Sequence, residues 1–330
     1  MAASIRLGRR HLGQTAPNPA VGCIIVRDGI VVGSGITGWG GRPHGETEAL
    51  KDAGDKARGA TVYVSLEPCN HYGKTGPCTV ALIDAGVARV VIGLGDSDER
   101  VNGAGAQRLR DAGIAVDFEP SPRLAKETAD AHRGHLMRMR DGRPFVTLKL
   151  ALSADGGIGI PDKGQVPITG MLANRLSHGL RARHDAIAVG SRTVLADKPQ
   201  LTVRLPGLGG WSPSRFVFTR NGNAFPDLPE GWQALESGNL AAALKDLGGM
   251  GMTSLLVEGG ATIAKALLEA HLVDELYLLR GQAVLGEGAV TPFPAHPFDS
   301  LEGAGLKGWC TLEKRTLGLD TLWRLQPPHI

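Results

Sequence analysis

Short apolar runs alternate with stretches of helical spacing along the first part of the chain. Ile5, Leu7 and Leu12 belong to an opening helix. Val21 to Val26 and Ile30 to Val32 form two strands around Asp28-Gly29, a dipeptide that suits a two-residue hairpin turn. A Gly-rich loop, Gly38 to Gly41, precedes a predicted helix over 46–57, a strand over 61–65, an irregular stretch over 66–78 and a helix over 80–85. Strands over 89–93 and 114–118 then enclose a helix over 106–112. Strands separated by helices of this length predict a three-layer α/β domain. A polar helix over 121–139 runs into Arg140-Asp141-Gly142-Arg143-Pro144, whose glycine and proline break it. The domain boundary is expected there, dividing residues 1–142 from 143–330.

The second half restarts with a long β-run, Phe145 to Leu152. It continues with a helix near 172–182, strands over 186–189 and 215–219, a helix over 240–247, a strand over 254–257, a helix over 262–270 and a strand over 275–279. This is a second α/β domain. Leu205 to Pro213 and Val290 to Pro297 read as Gly/Pro-rich loops, and no internal repeat is visible.

Composition narrows the class. The 330 residues are 42% hydrophobic and 21% charged, enough to bury two cores without disulfides. Thirty-six basic against thirty-three acidic residues leave too small an excess for a nucleic-acid footprint, so small-molecule chemistry is favoured. No apolar run approaches the roughly 20 residues of a membrane helix, and the basic start of the chain lacks a signal-peptide core. A cytoplasmic protein is expected. The 47 glycines are not periodic and point to many turns and close backbone approaches to ligands.

The four cysteines, Cys23, Cys69, Cys78 and Cys310, are too widely spaced for a disulfide framework, which makes metal ligation the better use. His44-Gly45-Glu46 opens a helix, Pro68-Cys69 follows a strand, and Cys78 starts the next helix. One imidazole and two thiolates make a three-ligand zinc site with an open fourth position, the catalytic arrangement. His-x-Glu followed by Pro-Cys and a second Cys is the signature of zinc deaminases, with the Glu as general acid and base. The usual signature has two residues between the cysteines, whereas eight intervene here, Asn70 to Pro77. His71 and Lys74 on this inserted loop either meet a phosphate or ring edge or are simply solvated. Cys23 is expected to be a buried small residue and Cys310 a structural thiol, with Trp39, Trp211 and Trp232 on loops. In the second half no Gly-x-Gly-x-x-Gly follows a strand, which disfavours a Rossmann domain. Leu255 to Thr262, with Gly259-Gly260 entering a helix, either receives a phosphate or packs tightly.

Pro17-Asn18-Pro19-x-Val21-Gly22, Pro43-His44-Gly45-Glu46 and Leu66-Glu67-Pro68-Cys69 with its distant Cys78 resemble the bifunctional deaminase–reductase family of bacterial riboflavin biosynthesis. The second half adds Thr147-Leu148-Lys149-Leu150-Ala151, Ser153-Ala154-Asp155-Gly156, Leu201-Thr202-Val203-Arg204 and Val257-Glu258-Gly259-Gly260, so the resemblance covers nearly the whole chain. It implies a cytidine-deaminase-like three-layer α/β/α domain followed by a dihydrofolate-reductase-like α/β domain. The first would remove the ring amino group of a GTP-derived diamino-ribosylamino-pyrimidinone phosphate. The second would use NADPH to reduce ribosyl to ribityl.

By the same resemblance His44, Cys69 and Cys78 hold zinc, Glu46 carries the proton, and Asn18, His71 and Lys74 contact the pyrimidine. Ala151, Thr193, Asp197 and Gly260-Ala261-Thr262-Ile263-Ala264-Lys265-Ala266 take NADPH; Gln165, Arg181, Leu201, Arg204 and Glu258 take the ribosyl phosphate. Two arginines suit phosphate because their planar forks bind oxygens in pairs. The resemblance also implies a homo-oligomer, a dimer or tetramer, with a small phosphorylated pyrimidine as partner and neither nucleic acid nor membrane. Four positions depart from the family pattern: Thr37 for a His, Gly45 for an Ala, Pro167 for a Trp, and Thr219-Arg220 for a more usual Asp. Met1 falls inside the first helix, so the start is expected to lie upstream. The competing readings are a nucleobase deaminase with another substrate, and an active deaminase carrying a reductase domain decayed into a scaffold.

Overall fold

A computed structural model of the chain describes residues 1–73, 76–96, 103–161, 163–208, 210–220, 228–293 and 301–328. It divides into two units, Met1–Pro144 with Leu247–Thr253, and Phe145–Asp246 with Ser254–Ile330.

In the first unit the elements run α1 (Ala2–Gly8), β1 (Gly22–Arg27), β2 (Ile30–Ile36), α2 (Gly45–Ala53), β3 (Thr61–Val64), α3 (Cys78–Asp84), β4 (Arg89–Ile92), α4 (Ala104–Asp111), β5 (Ala115–Phe118) and α5 (Pro122–Asp141). The sheet order is β2-β1-β3-β4-β5. β1 pairs antiparallel with β2 and β3, and β3, β4 and β5 are parallel. Asp28 and Gly29 both take positive φ, 53° and 76°, the backbone that the Asp-Gly hairpin requires. Cys23, Ile25, Val62, Val64, Val90 and Ile92 from alternate strand positions pack against Ala49, Leu82 and Leu109 of the helices. Cys23 is fully buried, as expected for a small apolar residue. Helix α2 lies on β1 and β2 beside α3, and α1 lies on β1 beside α5.

Boundaries shift where glycine intervenes. The helix predicted over 46–57 ends at Ala53, because Gly54 turns to φ 54°, and one short 3-10 turn, Gly54–Ala57, follows. The second hairpin strand continues past Val32 to Ile36, since Gly33 and Gly35 leave room for α2 to lie directly on it.

The second unit contains β6 (Phe145–Leu152), α6 (Met171–Arg181), β7 (Ala186–Gly190), α7 (Ser191–Asp197), β8 (Ser214–Thr219), β9 (Trp232–Glu236), the part of α8 (Leu240–Gly249) up to Asp246, β10 (Ser254–Glu258), α9 (Ala261–Glu269), β11 (Glu275–Arg280), β12 (Cys310–Leu317) and β13 (Asp320–Gln326). Its sheet order is β12-β13-β11-β6-β10-β7-β8-β9. The pairs from β11 through β9 are parallel, and β13 and β12 close one side as an antiparallel hairpin.

Two loop or thiol expectations are corrected here. Trp232 is not on a loop but opens edge strand β9, and it is buried against Val217 and Leu256. Cys310 is exposed at the start of β12 and has no structural burial. The strand β12 escapes apolar patterning because its face is largely solvated, carrying Glu313, Lys314 and Arg315 at a sheet edge.

Leu148 sits on the central strand β6 between Val257 and Leu276 and is fully buried. Leu148→Ala is expected to cost roughly 2–5 kcal/mol through lost transfer energy and a residual cavity. Denaturant unfolding followed by circular dichroism checks this, and an unchanged midpoint would contradict the packing described.

Candidate active sites

The first site forms where three elements end together. His44 is the N-cap of α2, in extended backbone. Gly45 lets the helix start tightly against β1: a Cβ there would stand 2.6 Å from the carbonyl oxygen of Val21. Glu46, in the first turn, is then carried inward and is 3% exposed. Cys69 follows β3 in irregular backbone, and Cys78 is the first residue of α3. The ligand atoms of His44, Cys69 and Cys78 lie within 4.8 Å of one another. His44 Nδ1 is 3.3 Å from Cys78 Sγ and 3.6 Å from Cys69 Sγ, and the Cys78 amide donates to Cys69 Sγ at 3.3 Å.

Electrostatics follow from this crowding. The Cys69 thiol is held down to about 4, first by the hydrogen bond from Cys78 and then by His44 against the cost of burial. Cys78, as donor to Cys69, is pushed well up. Burial pushes the Glu46 carboxyl up to about 7, against the pull of His44. Two soft sulfurs and one imidazole, open on one side, are a donor set that fits zinc with a position left for water.

Around these atoms lies a cleft open to solvent. Asn18 lines it, donating through Nδ2 to the Gly41 carbonyl at 2.8 Å with His44 Nε2 at 3.3 Å. His71 also lines it, and its Nδ1 is buried with no hydrogen-bond partner among the described residues. Lys74 lies outside the described residues. At the position of the missing family histidine, Thr37 is buried and uses its Oγ1 to accept from the Val21 amide at 2.9 Å.

Several cleft residues carried no role in the sequence reading. Glu67 accepts from the amides of Gly103 at 3.1 Å and Ala106 at 3.0 Å, which fastens the start of α4 beside the metal loop. Arg42, Asp96, His135 and Arg138 also line the cleft. The i, i+3 spacing of His135 and Arg138 on α5 was the available signal that they share a face.

The second site lies in the second unit. Arg181 at the end of α6 donates through Nε and Nη2 to the two carboxylate oxygens of Glu258, at 2.7 and 2.9 Å. Both side chains are nearly buried, 12% and 10% exposed. Arg181 Nη1 donates to the Thr202 carbonyl at 3.1 Å, and the Arg204 amide donates to His178 Nδ1 at 3.1 Å. These bonds draw Leu201 and Arg204 to α6, with Leu201 buried and the Arg204 side chain exposed. Burial pushes the Glu258 carboxyl up, but Arg181 and then Lys149 outweigh it and hold it below the ordinary range. Lys149 faces Glu258 in register across β6 and β10.

Gly259 and Gly260 both take positive φ, 62° and 76°, and lead into the open first turn of α9, which has no side-chain cap. A Cβ on Gly260 would stand 3.2 Å from Thr193 Oγ1. Bare backbone amides beside a hydroxyl form a cradle that fits a dinucleotide phosphate. Thr193 and the Gly260 to Ala266 segment are thus brought together, and Arg192 donates to Thr262 Oγ1. Asp197 ends α7, where burial raises its carboxyl pKa, and Ala151 lies near the end of β6. Gln165 is exposed.

Fold and donor set define the class: a zinc-dependent deaminase joined in one chain to a reductase. Residues 1–94 match the cytidine and deoxycytidylate deaminase zinc-binding region, and residues 144–317 match the RibD C-terminal domain. The chain is 38% identical over 327 residues to riboflavin biosynthesis protein RibD of Escherichia coli strain K12, covering 88% of each protein. Similarity to RibD of Aquifex aeolicus is 33% over 314 residues, 87% of each. Among solved structures, form 1 of Acinetobacter baumannii RibD superposes with a TM-score of 0.86 at 32% identity, covering 99% of this chain and 98% of that one. The diaminohydroxyphosphoribosylaminopyrimidine deaminase/5-amino-6-(5-phosphoribosylamino)uracil reductase of Thermotoga maritima gives 0.83 at 29% identity, covering 99% and 97%. The chain belongs to the RibD family of riboflavin biosynthesis proteins. It is a bifunctional enzyme, a deaminase and a reductase of riboflavin biosynthesis, that uses zinc and NADPH. No helix among the described residues is long and apolar enough to cross a membrane.

Arg181→Met is expected to destabilise the protein by roughly 3–5 kcal/mol at neutral pH, because it strands a buried carboxylate. The Glu258 pKa is depressed in the folded state. Its contribution is therefore present above the ordinary glutamate value and lost as pH falls through the folded value. The gap between wild type and variant should shrink on acidification. Urea unfolding at neutral and acidic pH checks this; a gap that widens would contradict it.

Proposed function

We propose that His44, Cys69 and Cys78 hold the zinc and that Glu46 is the proton carrier of the deamination. The observation that carries this reading is the convergence of the three ligand atoms beside a buried carboxyl. When bound, zinc supplies the Lewis acidity that makes water a nucleophile near neutral pH. Asn18, His71 and Lys74 orient the pyrimidine so that its amino-bearing carbon faces Glu46. The carboxyl, poised near 7, takes a proton from the attacking water and delivers it to the leaving nitrogen as ammonia departs. Closing the carboxyl off from bulk solvent keeps that proton local.

For the reduction, Ala151, Thr193, Asp197 and Gly260 to Ala266 receive NADPH, which supplies the hydride when bound. Gln165, Arg181, Leu201, Arg204 and Glu258 receive the ribosyl phosphate. The Arg181–Glu258 pair supports this assignment by fixing a guanidinium and a carboxylate at the C-terminal end of the interior strand β10, next to the cradle. Holding two bound molecules in register is the protein's main contribution to hydride transfer. The domains divide at residue 142, with 1–142 carrying deamination and 143–330 reduction. The chain works in the cytoplasm as a homo-oligomer, a dimer or tetramer; exposed Met171, Leu172 and Leu319 offer apolar surface for a second copy to cover.

Glu46→Gln should keep its zinc and lose ammonia release by at least about 100-fold, whereas Cys69→Ser should lose the metal as well. Metal analysis beside an ammonia assay separates the two, and a Gln variant deaminating at the wild-type rate would remove Glu46 from the proton path. Arg204→Ala should raise the apparent KM for the phosphorylated intermediate about tenfold or more, as the loss of one charge-assisted contact requires. Unchanged reductase kinetics would exclude that arginine from the phosphate site.

A further inference from the structure

Arg204 is carried by an irregular segment, and its own side chain is exposed. Its Nη1 bends back onto that segment, 3.3 Å from Gln200 Oε1 and 3.4 Å from Thr202 Oγ1. Where the guanidinium sits is therefore decided by the backbone over 201–204. That backbone is strained: Leu201 holds φ 52°, a left-handed conformation that a bulky side chain keeps only where its surroundings enforce it.

The enforcing contacts are hydrogen bonds to consecutive peptide units. Ser212 Oγ accepts the Val203 amide at 3.1 Å. The other two come from α6, where His178 and Arg181 stand three residues apart on one face. Arg181 Nη1 donates to the Thr202 carbonyl at 3.1 Å, and His178 Nδ1 accepts from the Arg204 amide at 3.1 Å. Arg181 is held in turn by Glu258. His178 is 4% exposed, and neither half-reaction described above uses its imidazole. Accepting through Nδ1 requires the neutral ring with its proton on Nε2, because protonation of Nδ1 removes the lone pair. The surroundings favour that form. Burial first, then Arg181 on the same helix and Arg204 on the loop, push the His178 pKa below the ordinary imidazole value. Glu258 on β10 and the Thr202 carbonyl act in the opposite direction.

We propose that His178 is a positioning residue of the reductase: its neutral imidazole holds the Arg204 peptide, and thereby places the Arg204 guanidinium to meet the substrate phosphate. The inference rests on the reading of Arg204 as a ligand of the ribosyl phosphate. Because His178 acts through Arg204 and not on the reacting atoms, its loss falls on KM and spares kcat. The hydrogen bond is present above the folded pKa of His178 and is lost as pH falls through it, so acid weakens substrate capture.

The test follows NADPH oxidation by the zinc-loaded full-length chain, with the deaminated ribosylamino-pyrimidine 5'-phosphate as substrate, at neutral pH and below the ordinary imidazole value. His178→Leu removes the acceptor, whereas His178→Asn keeps an oxygen near the place of Nδ1 and does not titrate. At neutral pH the Leu variant should raise KM roughly 5- to 10-fold with kcat within about twofold of wild type, and the Asn variant should stay within about threefold in KM. On acidification the wild-type KM should climb at least about threefold more than that of the Asn variant, since ionisation of the substrate phosphate is common to both. A Leu variant with the wild-type KM, or a ratio of wild-type to Asn KM that stays constant with pH, would overturn the proposal. If the Leu variant fails to fold, that ratio decides alone. Arg204→Ala in the same assay separates the two readings: wild-type kinetics there would remove Arg204 from the phosphate site and the proposal with it, whereas a raised KM beside an unchanged Leu variant would remove His178 alone.

Discussion

Everything in the first unit is arranged around one demand, the approach of two sulfurs and an imidazole nitrogen to within 4.8 Å. These groups compete for protons and space: the hydrogen bond between the two thiols lowers the Cys69 pKa and raises that of Cys78. The geometry survives because each ligand stands at the end of a rigid element. His44 is held by α2 against β1, Cys69 leaves β3, and Cys78 begins α3. Glu67, two residues before Cys69, is tied to the start of α4 through two backbone amides. A soft, charged donor set of this kind binds zinc tightly and keeps one position open, which turns a binding site into a catalytic one.

The second unit solves a different problem. Its parallel sheet buries both faces, yet it must present charge at the ends of its strands. It does so with a paired group: the fork of Arg181 closes on Glu258 while Lys149 stands in register across the strands. Neither charge of the pair is left uncompensated, so the sheet can keep both groups nearly buried. At the neighbouring strand-to-helix junction, Gly259 and Gly260 take positive φ and leave bare backbone, and Thr193 places a hydroxyl beside Gly260.

Much of this was legible in the chain. The His-x-Glu and Pro-Cys spacing fixed the donor set because the chemistry demands those residue types at element ends, and Asp28-Gly29 marked its hairpin because both residues must take positive φ. Elements buried in parallel sheets announced themselves as apolar runs. The hairpin β12–β13 did not, since an edge strand carrying Glu313, Lys314 and Arg315 lacks any such run, and β9 is too short for periodicity to separate it from a loop. The partners of the cleft were also silent. Asp96 meets His135 across 39 residues, and no spacing rule reaches that far. Of the departures from the family pattern, Pro167 lies in irregular backbone and Thr219 is buried at the end of β8.

Two chemistries in one chain is the central claim, and the mass of the product tests it most directly. Purified, zinc-loaded protein would be incubated with the diamino-ribosylamino-pyrimidinone phosphate, with and without NADPH. Without NADPH the product should show exchange of the ring amino group for oxygen and nothing further. With NADPH it should gain two hydrogens more. A product that never gains those hydrogens would contradict a working reductase in the second unit, and a substrate that keeps its amino group would contradict the deaminase in the first.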